Sequence, residues 1–121
     1  MLINDFYTCH DIEEADLQFS CRIAFNEKHA IFGGHFPGNP VVPGVCMMEI
    51  VKELLEKQVN EPLILRSAGN VKFLQLITPG MQPVINISWK KSEAGYSVNA
   101  SFNSGASILF KLNGAYELLS Y

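Results

Sequence analysis

From Val45 to Lys57 no residue breaks a helix, and nowhere else in the 121 residues is there an apolar helical stretch of that length. A loop dense in glycine and proline leads into it: Ile31-Phe32-Gly33-Gly34-His35-Phe36-Pro37-Gly38-Asn39-Pro40-Val41-Val42-Pro43-Gly44. Proline locks φ and glycine permits conformations closed to other residues, so such a loop presents side chains rather than packing them. Proline suits the first turn of a helix, and the start is expected at Pro43 or Gly44. At about 100° per residue, Met47, Ile50, Val51, Leu54 and Leu55 share one apolar arc, with Lys52, Glu53, Glu56 and Lys57 opposite. One helix with an apolar stripe this wide needs a sheet to cover it.

The flanking residues supply that sheet. Leu17, Phe19, Cys21, Ile23 and Phe25 alternate with mostly polar neighbours, the period of a half-buried strand. After a break at Gln58–Pro62, Leu63 to Phe73 reads as one long strand, bent or bulged at Gly69. Ile85, Ile87 and Trp89 form the next, then Tyr96, Val98, Ala100 and Phe102, then Ile108, Phe110 and Leu112 running out to Tyr116. Asp11-Ile12-Glu13-Glu14-Ala15-Asp16 reads as an acidic solvated turn. The expected architecture is α+β: a single domain over residues 1–121 in which a curled antiparallel sheet wraps one long central helix.

Between Phe36 and Val51 the only ionisable carboxylate is Glu49, and the nearest upstream imidazole is His35. Glu49 falls on the charged side of the helix, where a glutamate is ordinarily solvated. However, Val45 and Cys46 share its arc, so this end of the helix is expected to be buried on every side. Burial raises the proton affinity of a carboxylate, as a general acid near neutral pH requires. A free backbone N–H at the helix start, Gly44, can hold a developing oxyanion. Base, oxyanion donor and acid describe proton abstraction beside a carbonyl. His29 earns no role from its position alone.

The run His35-Phe36-Pro37-Gly38-Asn39-Pro40, followed by Pro43-Gly44-Val45 and Glu49, resembles the signature of the 3-hydroxyacyl-[acyl-carrier-protein] dehydratase family, which has the hot-dog fold. Asn70-Val71-Lys72-Phe73 with Pro79-Gly80 resembles it more weakly. The approach from His29 to His35 looks closer to divergent dehydratases of specialised polyene-type pathways. The resemblance implies that His35 and Glu49 are catalytic, that the Gly44 N–H binds the thioester oxygen beside Phe36 and Val45, and that the site is built from two chains. The substrate would be an acyl chain on acyl carrier protein or CoA. Family members usually begin with a further segment carrying a His-Arg-Tyr-Pro-Phe-like stretch, whereas this chain enters with Asn4-Asp5-Phe6-Tyr7. Leu74 and Gln75 stand where fatty-acid-pathway members commonly have basic residues, so the carrier-docking edge is expected to differ. An acyl thioesterase and a non-catalytic acyl-binding subunit are the rival readings on the same fold.

Composition limits the partners. Hydrophobic residues make up 48% and charged ones 17%, a balance that points to surface covered by another subunit, a homodimer or higher homo-oligomer. Net charge is −3 and no basic cluster exceeds Lys90-Lys91, which argues against nucleic acid. No apolar run reaches the roughly 20 residues of a membrane span, and the start lacks a basic-then-apolar signal, so a cytoplasmic location is expected. Cys9, Cys21 and Cys46 are odd in number and widely spaced, indicating neither a disulfide framework nor a zinc site. The three histidines lack partners at ligand spacing and no nucleotide-binding glycine loop is present. Neither metal nor cofactor is expected.

Overall fold

A computed structural model describes residues 1–34 and 38–119. Six antiparallel strands form one sheet in the order β1-β2-β4-β5-β6-β3. They are β1 (Tyr7–Ala15), β2 (Gln18–Phe25), β3 (Leu63–Phe73), β4 (Val84–Lys91), β5 (Gly95–Ser104) and β6 (Ser107–Leu118). The helices are a short α1 (Ala30–Gly33) and the central α2 (Gly44–Val59), which begins where the Pro43-Gly44 signal places it. Asn60 closes α2 in the left-handed conformation, φ 57°, and its N–H donates to the Glu56 carbonyl at 2.8 Å.

The sheet curls round α2 because both faces that meet are apolar. Met47, Ile50, Val51, Leu54 and Leu55 of the helix are buried in one cluster with Ile23, Ile85, Phe102, Phe110, Leu112 and Tyr116 of the strands. The alternation in β2, β4 and β5 places Phe19, Cys21, Ile23 and Phe25, then Ile85, Ile87 and Trp89, then Tyr96, Val98, Ala100 and Phe102 inside, whereas Leu17, expected with the first set, sits in the turn before β2 at φ 60° and is exposed. β3 shifts register twice against β6, between Leu65 and Ser67 and between Ala68 and Asn70, which is the bend anticipated near Gly69.

Three further expectations are corrected. The acidic run 11–16 is largely strand: β1 continues to Ala15 and pairs with β2 along its length. Its outer edge faces water, so carboxylates are tolerated there and discourage pairing with another chain. A bulge between His10 and Glu13 absorbs Asp11, at φ 52°, whose carboxylate accepts from Arg22 at 2.9 Å. In β6 the face changes at a register shift opposite Phe102 and Asn103, so Leu109 joins Phe110 in the core while Ile108 is exposed. The third correction is Glu53, expected on the charged, open side of α2. Its residue is 1% exposed.

Candidate active site

Pro43 enters α2 in an extended conformation and provides no side-chain cap. Its carbonyl takes the N–H of Cys46 and of Met47, but the N–H groups of Gly44 and Val45 have no acceptor among the described residues. That is the general condition of a helix N-terminus, and together with the helix dipole it makes this turn a seat for a partial negative charge. The seat opens on a cleft of about 430 Å³ lined by Val41, Val42, Met47, Phe73, Leu76 and Ile77 around Pro43 and Gly44. Two backbone ties hold its walls. The Val42 N–H donates to the Ile77 carbonyl at 2.7 Å, and Leu74 and Gln75 both donate to the Leu109 carbonyl.

Phe73 roofs the helix start. Its ring stacks at a tilt on Phe110, centroids 5.0 Å apart, and reaches over Gly44 so closely that a Cβ there would lie 2.7 Å from the ring edge. Glycine at 44 is thus a matter of space: it lets an aromatic wall approach the open N–H. Phe73 remains 54% exposed and Leu76 74% exposed, an apolar lip that suits a hydrocarbon chain or a second protein surface.

Glu49 lies elsewhere on the helix. It is half-buried and does not line the cleft, because five residues of helix carry it about 7.5 Å along the axis and far round it. Its carboxyl is raised above the ordinary glutamate value by burial first, against the pull of Lys52, with further pushes from the neighbouring Glu53 and Glu56. Tyr116 of β6 feels the same group: burial, then the charge of Glu49, pushes its phenol up to about 12. Burial and then Glu49 also raise the Cys46 thiol. The chain's own sheet does not cover this end of α2 on every side, which leaves one face for the second subunit expected there. Val45 is 76% exposed, so the face carrying Val45 and Glu49 is open.

His35 and Phe36 lie outside the described residues, together with Pro37. The structure does place the approach to them. His29 caps α1, its Nδ1 accepting the Ile31 N–H at 3.1 Å, and its Nε2 meets the Asp5 carboxylate at 3.1 Å. Its ring packs edge-on to Phe6, which stacks on Phe32. His29 therefore has a structural post.

Sequence reasoning missed the other side of this arrangement. Residues 2–7 form a hook, closed by Asn4 N–H to the Tyr7 carbonyl at 2.7 Å and Phe6 N–H to the Leu2 carbonyl at 2.7 Å. It presents two N–H groups and a phenol to Glu53. Leu2 N–H donates to Oε2 at 2.7 Å, Ile3 N–H to Oε1 at 2.9 Å, and the Tyr7 hydroxyl to Oε1 at 3.1 Å. Through Glu53 and His29, one short segment ties the glutamate helix to the helix that leads into residue 35.

Comparison with known proteins is decisive for kinship. A sequence profile described as "ApeI-like: ApeI dehydratase" matches residues 10–108, spanning the glycine-proline loop, α2 and the Phe73 roof. The chain belongs to the ApeI-like dehydratase family. Among curated proteins it is similar to the 3-hydroxyacyl-[acyl-carrier-protein] dehydratases FabZ. Identity is 34% over 84 residues for that of Ralstonia nicotianae, covering 61% of this chain and 50% of the relative. For Wolbachia pipientis subsp. Culex pipiens it is 33% over 105 residues, covering 75% and 72%. The chain spans about half the length of the first curated relatives it matches. In fold it resembles a chain of the dehydratase heterocomplex ApeI:P from Xenorhabdus doucetiae, with TM-score 0.77, 18% identity, and coverage of 92% and 97%. An uncharacterised protein from Erwinia carotovora subsp. atroseptica has TM-score 0.71 at 22% identity, covering 93% and 94%. The hot-dog architecture is thus established for this ApeI-like chain. Its helix entrance leaves two N–H groups without an acceptor among the described residues beside an apolar cleft, and five residues on lies a carboxyl with raised proton affinity.

Proposed function

We propose that this protein removes water from 3-hydroxyacyl thioesters carried on acyl carrier protein or CoA, giving trans-2-enoyl thioesters in acyl-chain biosynthesis in the cytoplasm. The observation that carries the reading is Glu49: a carboxyl inclined to keep its proton, on the helix whose open N-terminus borders an apolar cleft. The thioester acidifies the C2 proton, which a neutral His35 imidazole takes. Negative charge develops on the thioester oxygen at the Gly44 N–H, where the helix dipole and the apolar ring of Phe73 strengthen the interaction. The electrons of the broken C2–H bond form the C2=C3 bond, the C3–O bond breaks, and Glu49 protonates the departing hydroxyl as water. Phe36 and Val45 are assigned to substrate binding, and the acyl chain follows the cleft.

Glu49 faces away from the cleft of its own chain, which supports a site made by two chains: His35 and Gly44 from one, Glu49 from the other. A second copy seated on Val45 would bury that face and complete both sites by two-fold symmetry. The name of the related heterocomplex favours a second reading in which the partner is a different hot-dog chain. Light scattering of the purified chain separates the two: a dimer supports the first, a monomer the second. The activity is tested with a panel of 3-hydroxyacyl thioesters on both carriers. Enoyl product supports dehydration, free thiol indicates a thioesterase, and binding without turnover by a verified dimer indicates a non-catalytic subunit.

A further inference from the structure

Glu53 is a nearly inaccessible carboxylate that the reaction does not use directly. Its oxygens are nonetheless well supplied. Leu2 N–H, Ile3 N–H and the Tyr7 hydroxyl all point at it, and backbone N–H groups can only donate. An ionised carboxylate offers about four lone-pair sites, and three donors leave one vacant, on Oε2. Glu49 stands four residues earlier on the same helix, the spacing that stacks side chains one above the other. Two carboxyls stacked at that spacing can share a hydrogen bond only if one of them carries a proton. Three of the roughly four sites on Glu53 are taken by donors, so the remaining one is an acceptor and the proton falls to Glu49.

We propose that Glu53 is the positioning residue for the acid: anchored by the N-terminal hook, its carboxylate accepts the Glu49 O–H, holding Glu49 protonated and fixing the direction of its carboxyl. This rests on the assignment of Glu49 as the acid. The hook is then part of the catalytic apparatus, since Leu2, Ile3 and Tyr7 decide which glutamate keeps the proton. The groups around Glu49 fit that division. Lys52 favours the anion, but its ammonium is drawn to Glu56, 3.9 Å away; Cys46 on α2 and Tyr116 on β6 are both raised and so neutral at pH 7; Tyr7 of β1 donates to Glu53.

The test uses two variants with opposite expectations. Glu53→Gln replaces the facing anion with an amide that donates to Glu49, so Glu49 loses its proton more readily. The alkaline limb of kcat/KM should move down by roughly one pH unit, the scale of a like-charge neighbour removed. Tyr7→Phe keeps the anion and removes one of its donors, so the pair holds its shared proton more tightly and the limb should move up by a few tenths. A direct titration of the Glu49 side-chain carboxyl carbon by NMR, in full-length wild type and both variants, reads the same shifts without turnover. Opposite shifts support the proposal. Coincident titrations in all three proteins, or shifts in one direction, overturn it, provided thermal melting shows the variants folded. Should Glu53→Gln not fold, the upward shift in Tyr7→Phe decides. If the NMR shifts occur while wild type makes no enoyl product, the proton arrangement stands and the proposed activity falls.

Discussion

Glu49 and Glu53 occupy successive turns of one helix, four residues apart, and differ in almost everything that follows. Glu53 is sealed from water and satisfied by three donors from the start of the chain. Glu49 is half-open, beside an exposed Val45, and its proton affinity is raised by burial and by the anion next to it. A buried carboxylate supplied with donors is held in place; one that is half-open to a partner or substrate is available for chemistry. On the proposed reading the same residue type on the same face serves two uses, and the allocation of donors decides which.

Substitution should separate the two. Glu49→Gln is expected to lower kcat by about 100- to 10,000-fold, the usual contribution of a general acid, as read by enoyl thioester formation. It should leave the protein as stable as wild type or more so at neutral pH. A carboxyl raised by burial binds its proton more tightly folded than unfolded, so its effect is to lower stability as pH rises above the ordinary glutamate value, and Gln removes that effect. Wild-type activity should fall as pH rises through the Glu49 titration, because the acid form is the one required. Glu53→Ala should do the reverse in emphasis. Stranding two N–H groups and a phenol is expected to cost about 3 kcal/mol in urea unfolding, with activity loss following from the freed hook. Equal stability losses in the two variants would erase the distinction.

Smaller effects are expected at the oxyanion seat. Gly44→Ala drives a methyl into the Phe73 ring, 2.7 Å away, but that ring is half-exposed and can swing aside. Stability should change by less than about 1 kcal/mol. Activity should drop roughly tenfold as the N–H loses its wall, and the Gly44→Ala, Phe73→Ala pair should lose less than the product of the two singles. Strict additivity in steady-state kinetics would show that the ring does not act through Gly44.

The architecture was readable because its signals are local. Pro43-Gly44 marks the start of α2, the arc from Met47 to Leu55 marks its buried face, and the period-two runs of β2, β4 and β5 mark the inner face of the sheet. The strand at 11–15 was hidden because acidic composition at a sheet edge resembles a solvated turn until its pairing with β2 is known. Glu53 was hidden more deeply. Its donors are backbone groups fifty and fifty-one positions upstream, and an N–H carries no side-chain signature to search for. The apolar helix end around Val45 and Glu49 announces burial, and in the single chain that face is open, as a surface expected to meet a second subunit would be. Of the site residues, Gly44, Val45 and Glu49 fall on α2 as the helix arithmetic requires, while His35 and Phe36 lie outside the described residues.

The central claim is that one site takes His35 from one chain and Glu49 from its partner, and complementation tests it most directly. His35→Ala and Glu49→Gln proteins, each inactive alone, are mixed in equal amounts after dissociation and allowed to reassociate. Under closed two-fold symmetry half of the dimers are mixed, and each of these has one site with both lesions and one with both residues intact. The pool should recover about a quarter of wild-type turnover by that counting. Mixed dimers, verified by differential tagging, that remain as inactive as their parents would contradict the shared site.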